Sequence, residues 1–138
     1  MLYIPSNSKY KKQQKGKSCN FISKSNKYFQ LKFGSVGLKA VSFGHLDSKE
    51  IKTAHQILKK VLKKRGFIKI NIYPQTPVSK KPLEIRMGKG KGNVNNWVVK
   101  IRPGTLILEI ETEFKSFALK GLKLIQSRFS LNTKIIFI

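Results

Sequence analysis

Acidic residues are scarce in this chain of 138 residues, in which 6 Asp and Glu stand against 29 Lys and Arg. The resulting formal net charge of +23 at pH 7 exceeds what solubility requires, and the charges repel one another unless a polyanion neutralises them. The first acidic residue is Asp47, so everything before it is purely basic. This distribution favours an anionic partner, and nucleic acid is the leading class.

Cysteine and long apolar runs are lacking as well. Cys19 is the single cysteine and cannot form an internal disulfide, which fits a reducing compartment. A chain of 138 residues is long enough for one domain with a hydrophobic core. No apolar run reaches the roughly 18 residues that span a bilayer, so no membrane insertion is expected. A protein that binds membrane surfaces through an exposed apolar face remains an alternative.

Residues suited to catalysis or metal binding are also few. His45 and His55 have no cysteine or carboxylate at ligand spacing, so no metal site is predicted. Glu109 and Glu111 share one face of a predicted strand, where basic neighbours such as Lys100 are the expected partners rather than a substrate. We therefore predict neither enzymatic activity nor a cofactor. A free-standing RNA-binding protein or an RNA-processing enzyme is the alternative.

Residues 1–26 lack the apolar periodicity of a packed element and are predicted to form a basic N-terminal arm. Its lysines are interleaved with Tyr10 and Gly16, so that the cations can meet phosphates and the tyrosine ring can stack on a base. The alternative is a disordered tail. Such an acid-free start also resembles a transit peptide, although those favour arginine and the first arginine here is Arg65.

Residues 27–138 are predicted to form one α+β domain, a sandwich of mostly antiparallel strands with two amphipathic helices. Alternation over residues 28–44 indicates two short strands with a bend or bulge at Gly34 and Gly37. A helix then begins at a capping box formed by Asp47 and Glu50. Apolar residues at helical spacing continue this helix, and Gly66 is predicted to end it.

The second half of this domain is predicted to contain further strands and a second helix. Residues 67–73 alternate as a strand, and the prolines at 74, 77 and 82 predict a stiff connector. Two further strands flank Pro103 and Gly104, which suit the centre of a type I or II turn. A second helix is indicated by apolar residues at helical spacing, namely Phe114, Phe117, Ala118, Gly121, Leu122 and Ile125. Residues 133–138 make a closing strand.

The stretch "RMGKGKGNVNNW", residues 86–97, combines glycines with cations. Glycine leaves the backbone open to close approach, and the cations suggest an anionic surface. The stretch lacks the spacing of a nucleotide P-loop, and a strand rather than a helix follows it, so no nucleoside triphosphate site is expected. With Tyr73 and Trp97 as anchors, residues 74–96 are predicted to project as a functional loop. A hairpin loop with solvated charges is the alternative.

Three stretches together resemble a known family: "FGSVGLKAV", "KPLEIRMGKGKGNVNNWV" and the "PG" turn that follows. They are similar to the bacterial L16 family of large-subunit ribosomal proteins, the counterpart of the archaeal and eukaryotic L10e proteins. The match runs in order from about Pro5 to Phe129. The resemblance implies an α+β fold docked between rRNA helices near the peptidyl transferase centre. It also implies late joining during assembly, and an arm and loop that reach toward tRNA acceptor regions.

Site residues follow from this resemblance and from the charge pattern. The loop predicted to lie nearest tRNA contains Lys81, Arg86, Met87, Gly88, Lys89, Gly90, Lys91, Gly92 and Asn93. The predicted rRNA-binding residues are Lys9, Tyr10, Lys11, Lys12, Lys15, Gly16, Lys17, Lys39, Lys59, Lys63 and Lys64. The expected partners are large-subunit rRNA, the tRNA acceptor region and neighbouring large-subunit proteins, with no homo-oligomer.

The sequence also departs from the bacterial members that it resembles. Those typically carry arginines at the positions of Phe43 and His45, histidine at the position of Gln14, and a more acidic, alanine-rich last helix. Lysine is preferred over arginine, and Asn, Ile and Phe are abundant, which indicates an A+T-rich genome. Within this family such a composition predicts a mitochondrion-encoded protein of the mitochondrial ribosome, with a plastid or the bacterial cytoplasm as alternatives.

Overall fold

The computed structural model describes residues 5–14, 30–63 and 65–137. Each pair of neighbouring strands within these ranges is antiparallel, which confirms the predicted α+β class. The elements in chain order are β1 (Val36–Ala40), β2 (Gly44–Asp47), α1 (Ser48–Leu62), β3 (Phe67–Ile70), β4 (Thr76–Lys80), β5 (Asn93–Ile101), β6 (Leu106–Glu111), α2 (Lys115–Gln126) and β7 (Thr133–Phe137).

The strands form two sheets that share one core with the helices. The larger sheet has the order β3-β6-β1-β7, and the smaller one has the order β2-β5-β4. The two helices contact each other, and one continuous cluster of buried side chains joins both helices to both sheets. Its members include Leu38 of β1, Leu46 of β2, Leu58 of α1, Ile101 of β5 and Leu122 of α2. Burial of these apolar side chains is the main stabilising contribution to the fold.

Helix α1 begins at the predicted capping box but ends earlier than predicted. The backbone N–H of Asp47 donates to Oε2 of Glu50 at 2.8 Å, which satisfies a donor at the N-cap. The helix ends at Leu62, and Lys63 follows in the left-handed conformation with φ of 45°. Gly66 is therefore not the cap, and that prediction was wrong. A Cβ atom at Gly66 would lie 2.8 Å from the carbonyl oxygen of Glu111, so its glycine allows close approach to β6.

The N-terminal end of helix α2 is more exposed than its apolar spacing predicts. Ala118, Leu122 and Ile125 are buried as the periodicity predicts. Phe114 and Phe117, which share that spacing, are 46% and 42% exposed. Their rings are therefore accessible at the surface rather than buried in the core. Neither helix in the described ranges is long and apolar enough to cross a membrane.

The turn between β5 and β6 is of the predicted kind. The N–H of Thr105 donates to the carbonyl of Arg102 at 3.1 Å, and Gly104 has φ of 89°. A positive φ at the third position identifies a type II turn, with Pro103 fixing the position before it. The N–H of Gly104 also donates to the carbonyl of Ala40 at 2.8 Å, so the turn is tied to the end of β1.

The connector predicted from the prolines contains a strand instead. β4 pairs with β5, with Pro77 opposite Trp97 and a register shift between Val78 and Ser79. Proline is tolerated in β4 because this strand lies at the edge of its sheet, where a backbone donor can be missing. Residues 74–96 are thus mostly a β-hairpin, and only residues 81–92 lie between its strands. We call residues 81–92 the Gly/Lys loop.

Candidate nucleic-acid interface

Backbone conformation explains the glycine spacing of the Gly/Lys loop. At its base, a Cβ atom on Gly92 would lie 2.6 Å from the carbonyl oxygen of Lys80, so only glycine lets these two backbone segments approach this closely. At its tip, Gly88, Lys89 and Gly90 have φ of 105°, 51° and 85°. Three successive residues in the left-handed region strongly favour glycine. Lys81 closes the loop, since its Nζ donates to the carbonyl of Gly88.

The tip presents both cations and apolar side chains. Arg86 and Lys89 are exposed. Leu83 and Met87 are 96% and 100% exposed, which is unusual for such side chains. Cations of this kind pair with phosphate oxygens, and apolar side chains contact base and sugar faces. The tip therefore carries both kinds of group that bind RNA.

The arm contacts the Gly/Lys loop through two reciprocal hydrogen bonds, which we call the arm–loop clasp. Nζ of Lys12 donates to the carbonyl of Lys91 at 2.8 Å, and Nζ of Lys91 donates to the carbonyl of Gln13. Lys91, one of the residues of the loop predicted to lie nearest tRNA, is thus engaged with the arm. The clasp brings residues 12–13 and 91 into one surface.

The other predicted site residues of the arm are exposed or lie outside the described ranges. Lys9, Tyr10 and Lys11 are exposed, and Nζ of Lys9 lies 5.8 Å from the centroid of the Tyr10 ring. These residues therefore remain accessible to a partner. The predicted site residues outside the described ranges are Lys15, Gly16, Lys17 and Lys64.

The remaining predicted rRNA-binding lysines lie on the body of the domain. Lys59 in the last turn of α1 and its cap Lys63 are exposed, while Lys39 in β1 is half-buried. Burial first, and then the positive charge of Lys59, lower the pKa of His55 on the same helix. This shift favours the neutral imidazole, so the positive charge of the helix comes from its lysines.

The aromatic anchors predicted for the hairpin are less buried than expected. Trp97 is only half-buried, and Tyr73 is exposed. Strand pairing and a side-chain hydrogen bond hold the hairpin instead, because Nδ2 of Asn96 donates to Oδ2 of Asp47 at 3.1 Å. The hairpin is therefore fixed to the start of α1.

Glu109 is a structural carboxylate and not part of an acid–base pair. Its Oε2 accepts from the backbone N–H groups of Lys32, Phe33 and Gly34, at 2.9, 2.8 and 3.3 Å, and its Oε1 accepts from Nδ2 of Asn71 at 2.6 Å. Burial alone would raise the pKa of Glu109, but these hydrogen bonds outweigh it and lower the pKa. Lys100, the partner predicted from sequence, lies in the other sheet.

Glu111 on the same strand is exposed. Across the part of the chain that the structure describes, no three His, Cys, Asp or Glu side chains cluster as a metal site would require.

A set of exposed phenylalanines at one end of the larger sheet was not predicted from the sequence. Phe33, Phe67 and Phe114 line one open groove, and Phe117 packs against Phe114. A signal for Phe67 was available, because the alternation that places Ile68 and Ile70 toward the core directs Phe67 to the opposite face. No comparable pattern indicated the position of Phe33.

Comparisons with known proteins identify the family of this chain. A family model described as ribosomal protein L16p/L10e matches residues 5–136. Large ribosomal subunit protein uL16 of Xylella fastidiosa (strain M12) is 36% identical over 132 residues, covering 96% of this chain and 94% of that protein. The uL16 protein of Wigglesworthia glossinidia brevipalpis is 37% identical over 132 residues, with the same coverage of 96% and 94%. The chain therefore belongs to the ribosomal protein L16p/L10e family.

Proposed function

We propose that this protein binds large-subunit rRNA near the peptidyl transferase centre and helps to position the acceptor ends of tRNA. As a member of the L16p/L10e family, it is a structural constituent of the large ribosomal subunit and not an enzyme. The observation that carries the finer proposal is the Gly/Lys loop, whose exposed cations lie on a backbone that glycine keeps open. The arm–loop clasp extends this surface with the lysines of the arm.

Charge supports rRNA as the main ligand. A chain with formal charge +23 gains binding energy by releasing the counterions condensed on a nucleic acid. Arg86 adds a planar guanidinium, which can pair with phosphate at two points or stack on a base. Gly88 and Gly90 let a nucleotide approach the main chain closely. These features suit a loop that touches RNA.

Replacement of Lys89 by alanine tests the role of the loop. Lys89→Ala should change the free energy of unfolding by no more than about 0.5 kcal/mol, because the side chain is exposed. Large subunits that contain it should bind tRNA about tenfold more weakly or mature slowly, since a hydrogen bond to a charged group contributes about 1.5 kcal/mol or more. Lys52→Ala on the exposed side of α1 removes the same charge elsewhere and is the matched control. Equal tRNA affinity and assembly rates in both variants would contradict the proposal.

Late assembly and location form part of the same proposal. We place the protein in mitochondrial ribosomes, because its preference for lysine over arginine fits an organellar A+T-rich genome. Ribosomes purified from isolated mitochondria of the source organism should contain this chain, and late precursors of the large subunit should gain it near the end of maturation. Recovery of the chain only from plastid or bacterial ribosomes would refute this location, and its presence in the earliest precursors would refute late joining.

A further inference from the structure

Exposed phenylalanines and two carboxylates form an open groove of about 840 Å³ at one end of the larger sheet. Its lining includes Phe33, Phe67, Phe114, Glu111 and Glu113, and we call it the aromatic groove. Phe67 is 61% exposed. Single exposed apolar side chains are ordinary, but neighbouring ones that share a groove mark interaction sites.

The walls of the aromatic groove are held by the fold, so the groove exists before any partner binds. The backbone N–H of Phe33 donates to the carboxylate of Glu109. Phe67 lies in β3, opposite Glu111 of β6. The N–H of Phe114 donates to Oγ1 of Thr112 at 3.2 Å. The ring of Phe117 packs edge-to-face on Phe114, with centroids 6.1 Å apart. A preformed groove loses little conformational entropy when a partner docks.

Charge distinguishes this groove from the rest of the protein. Its lining has two cations, Lys32 and Arg65, and two carboxylates, Glu111 and Glu113, so its formal charge is zero in a chain of charge +23. The two carboxylates repel phosphates and offset the attraction of Lys32 and Arg65, so the groove favours an RNA backbone less than the arm and the Gly/Lys loop do. The groove is thus neutral in formal charge and partly apolar, in contrast to the basic arm and Gly/Lys loop.

Lysine and arginine side chains fit both features of the groove. They pair with carboxylates and bind to the faces of aromatic rings. The protein already makes such contacts with its own residues, since Nζ of Lys69 lies 2.9 Å from the centroid of Phe33 and the guanidinium of Arg65 lies 6.0 Å from that of Phe114. The apolar stems of these long side chains also cover ring surface.

We propose that the aromatic groove docks a basic, extended segment of a neighbouring protein of the large ribosomal subunit. Cationic side chains of that segment pair with Glu111 and Glu113, and its apolar atoms cover Phe67 and Phe114. The inference rests on the ribosomal role only in that it places the partner within the same subunit. It assigns to this face a protein contact and leaves RNA to the arm and the Gly/Lys loop.

Photo-crosslinking in purified large subunits tests this assignment. The probe is p-benzoylphenylalanine incorporated at Phe67, with the same probe at Met87 of the Gly/Lys loop as the control. Mass spectrometry of the Phe67 adducts should identify one ribosomal protein, joined through a segment rich in lysine or arginine, whereas the Met87 probe should join RNA. Adducts of the Phe67 probe with rRNA alone, with an acidic or uncharged protein segment, or with nothing would each overturn the docking proposal.

Charge reversal supplies an independent measurement. The double variant Glu111→Lys, Glu113→Lys should reduce the yield of the Phe67 adduct at least tenfold, because the pairing partners then repel. Gln56→Lys on the exposed side of α1 adds positive charge away from the groove and should leave that yield unchanged. An unaltered yield in the double variant would overturn the docking proposal. If the Phe67 probe joins no protein while the Met87 probe joins RNA, only the docking proposal is refuted. If the chain does not enter large subunits, both proposals are refuted.

Discussion

The carboxylate of Glu109 accepts a hydrogen bond from the backbone N–H of Phe33 at 2.8 Å, across a sequence separation of 76 residues. This contact and its neighbours fix the segment that leads into β1 against the larger sheet. Leu31 in the same segment packs over Gly37, where a Cβ atom would come within 2.3 Å of its Cδ2 atom. The buried carboxylate of Glu109 and the absence of a side chain at Gly37 therefore fix the position of residues 31–34 against the larger sheet.

Removal of this carboxylate should destabilise the protein strongly. Glu109→Ala leaves backbone donors of residues 32–34 without an acceptor, and we expect a loss of about 3 kcal/mol or more in the free energy of unfolding. Glu111→Ala on the same strand is the control, and its cost should stay near 0.5 kcal/mol because the residue is exposed. Urea denaturation of both variants provides the measurement. Similar stabilities of the two would show that the Glu109 contacts contribute little.

The same group predicts how stability depends on pH. The pKa of Glu109 in the folded protein is lower than its ordinary value of 4.5, so its ionised form stabilises the fold above that value. This contribution should decline as the pH falls from 4.5 through the lower folded pKa. Urea denaturation between about pH 6 and pH 3 should show the wild-type advantage over Glu109→Gln shrinking toward acid pH. A constant difference across this range would exclude a titrating contribution from Glu109.

The left-handed cap of α1 offers a stabilising substitution. Lys63 adopts φ of 45°, which costs a residue with a Cβ atom about 1 kcal/mol relative to glycine. Lys63→Gly should therefore raise the free energy of unfolding by up to about 1 kcal/mol. Lys60→Gly removes the same charge within the helix and should lower the stability by about 1 kcal/mol. Thermal unfolding of the two variants should give melting temperatures shifted in opposite directions, and shifts of the same sign would contradict the assigned cap.

The arm–loop clasp should protect the arm from proteolysis in the free protein. Lys91→Met removes the bond to the carbonyl of Gln13, and a bond of this kind contributes about 1 kcal/mol. Limited trypsin digestion should then cleave after Lys12 a few times faster than in the wild type. Lys89→Met, which changes the neighbouring exposed lysine, is the matched control and should leave that rate unaltered. Equal rates in the wild type and both variants would show that the clasp does not hold the arm.

Binding to rRNA should depend steeply on salt. The logarithm of the affinity for rRNA fragments should fall with the logarithm of salt concentration by about 0.7 to 0.9 per phosphate neutralised. Replacing both Lys9 and Lys11 with alanine should make this slope less steep by about 1.4 to 1.8, if each meets one phosphate. Titrations at several salt concentrations measure the slope. A nearly flat dependence of the wild type would argue against phosphate contacts as the main source of affinity.

Local patterns predicted most of the regular elements because each rests on neighbours in sequence. The capping box of Asp47 and Glu50 and the turn at Pro103 and Gly104 both depend on residues within three positions of one another, and both are confirmed. The end of α1 was misplaced because Lys63 adopts the cap conformation that glycine usually takes. Local propensity alone favours Gly66 as the helix cap. Glycine is required at this position for another reason, namely the close approach of its backbone to β6.

Contacts between distant parts of the chain could not be predicted in this way. The prolines of residues 74–82 predict a connector, because proline argues against a strand. β4 nevertheless forms there, since a strand at the edge of a sheet can contain proline. Phe114 and Phe117 have helical spacing, but they lie at the N-terminal end of α2, with Phe114 as its N-cap, and both are exposed. The arm–loop clasp joins residues 79 and 78 positions apart, for which no periodicity gives a signal.

Asp47 belongs at once to β2, to the cap of α1 and, through Asn96, to the hairpin that carries the Gly/Lys loop. Tilting of the hairpin relative to the helix would have to break the bond from Asn96 or distort the first helical turn. We therefore expect a displacement of the hairpin to be transmitted to the start of α1, through the bond between Asn96 and Asp47 and through the pairing of β2 with β5.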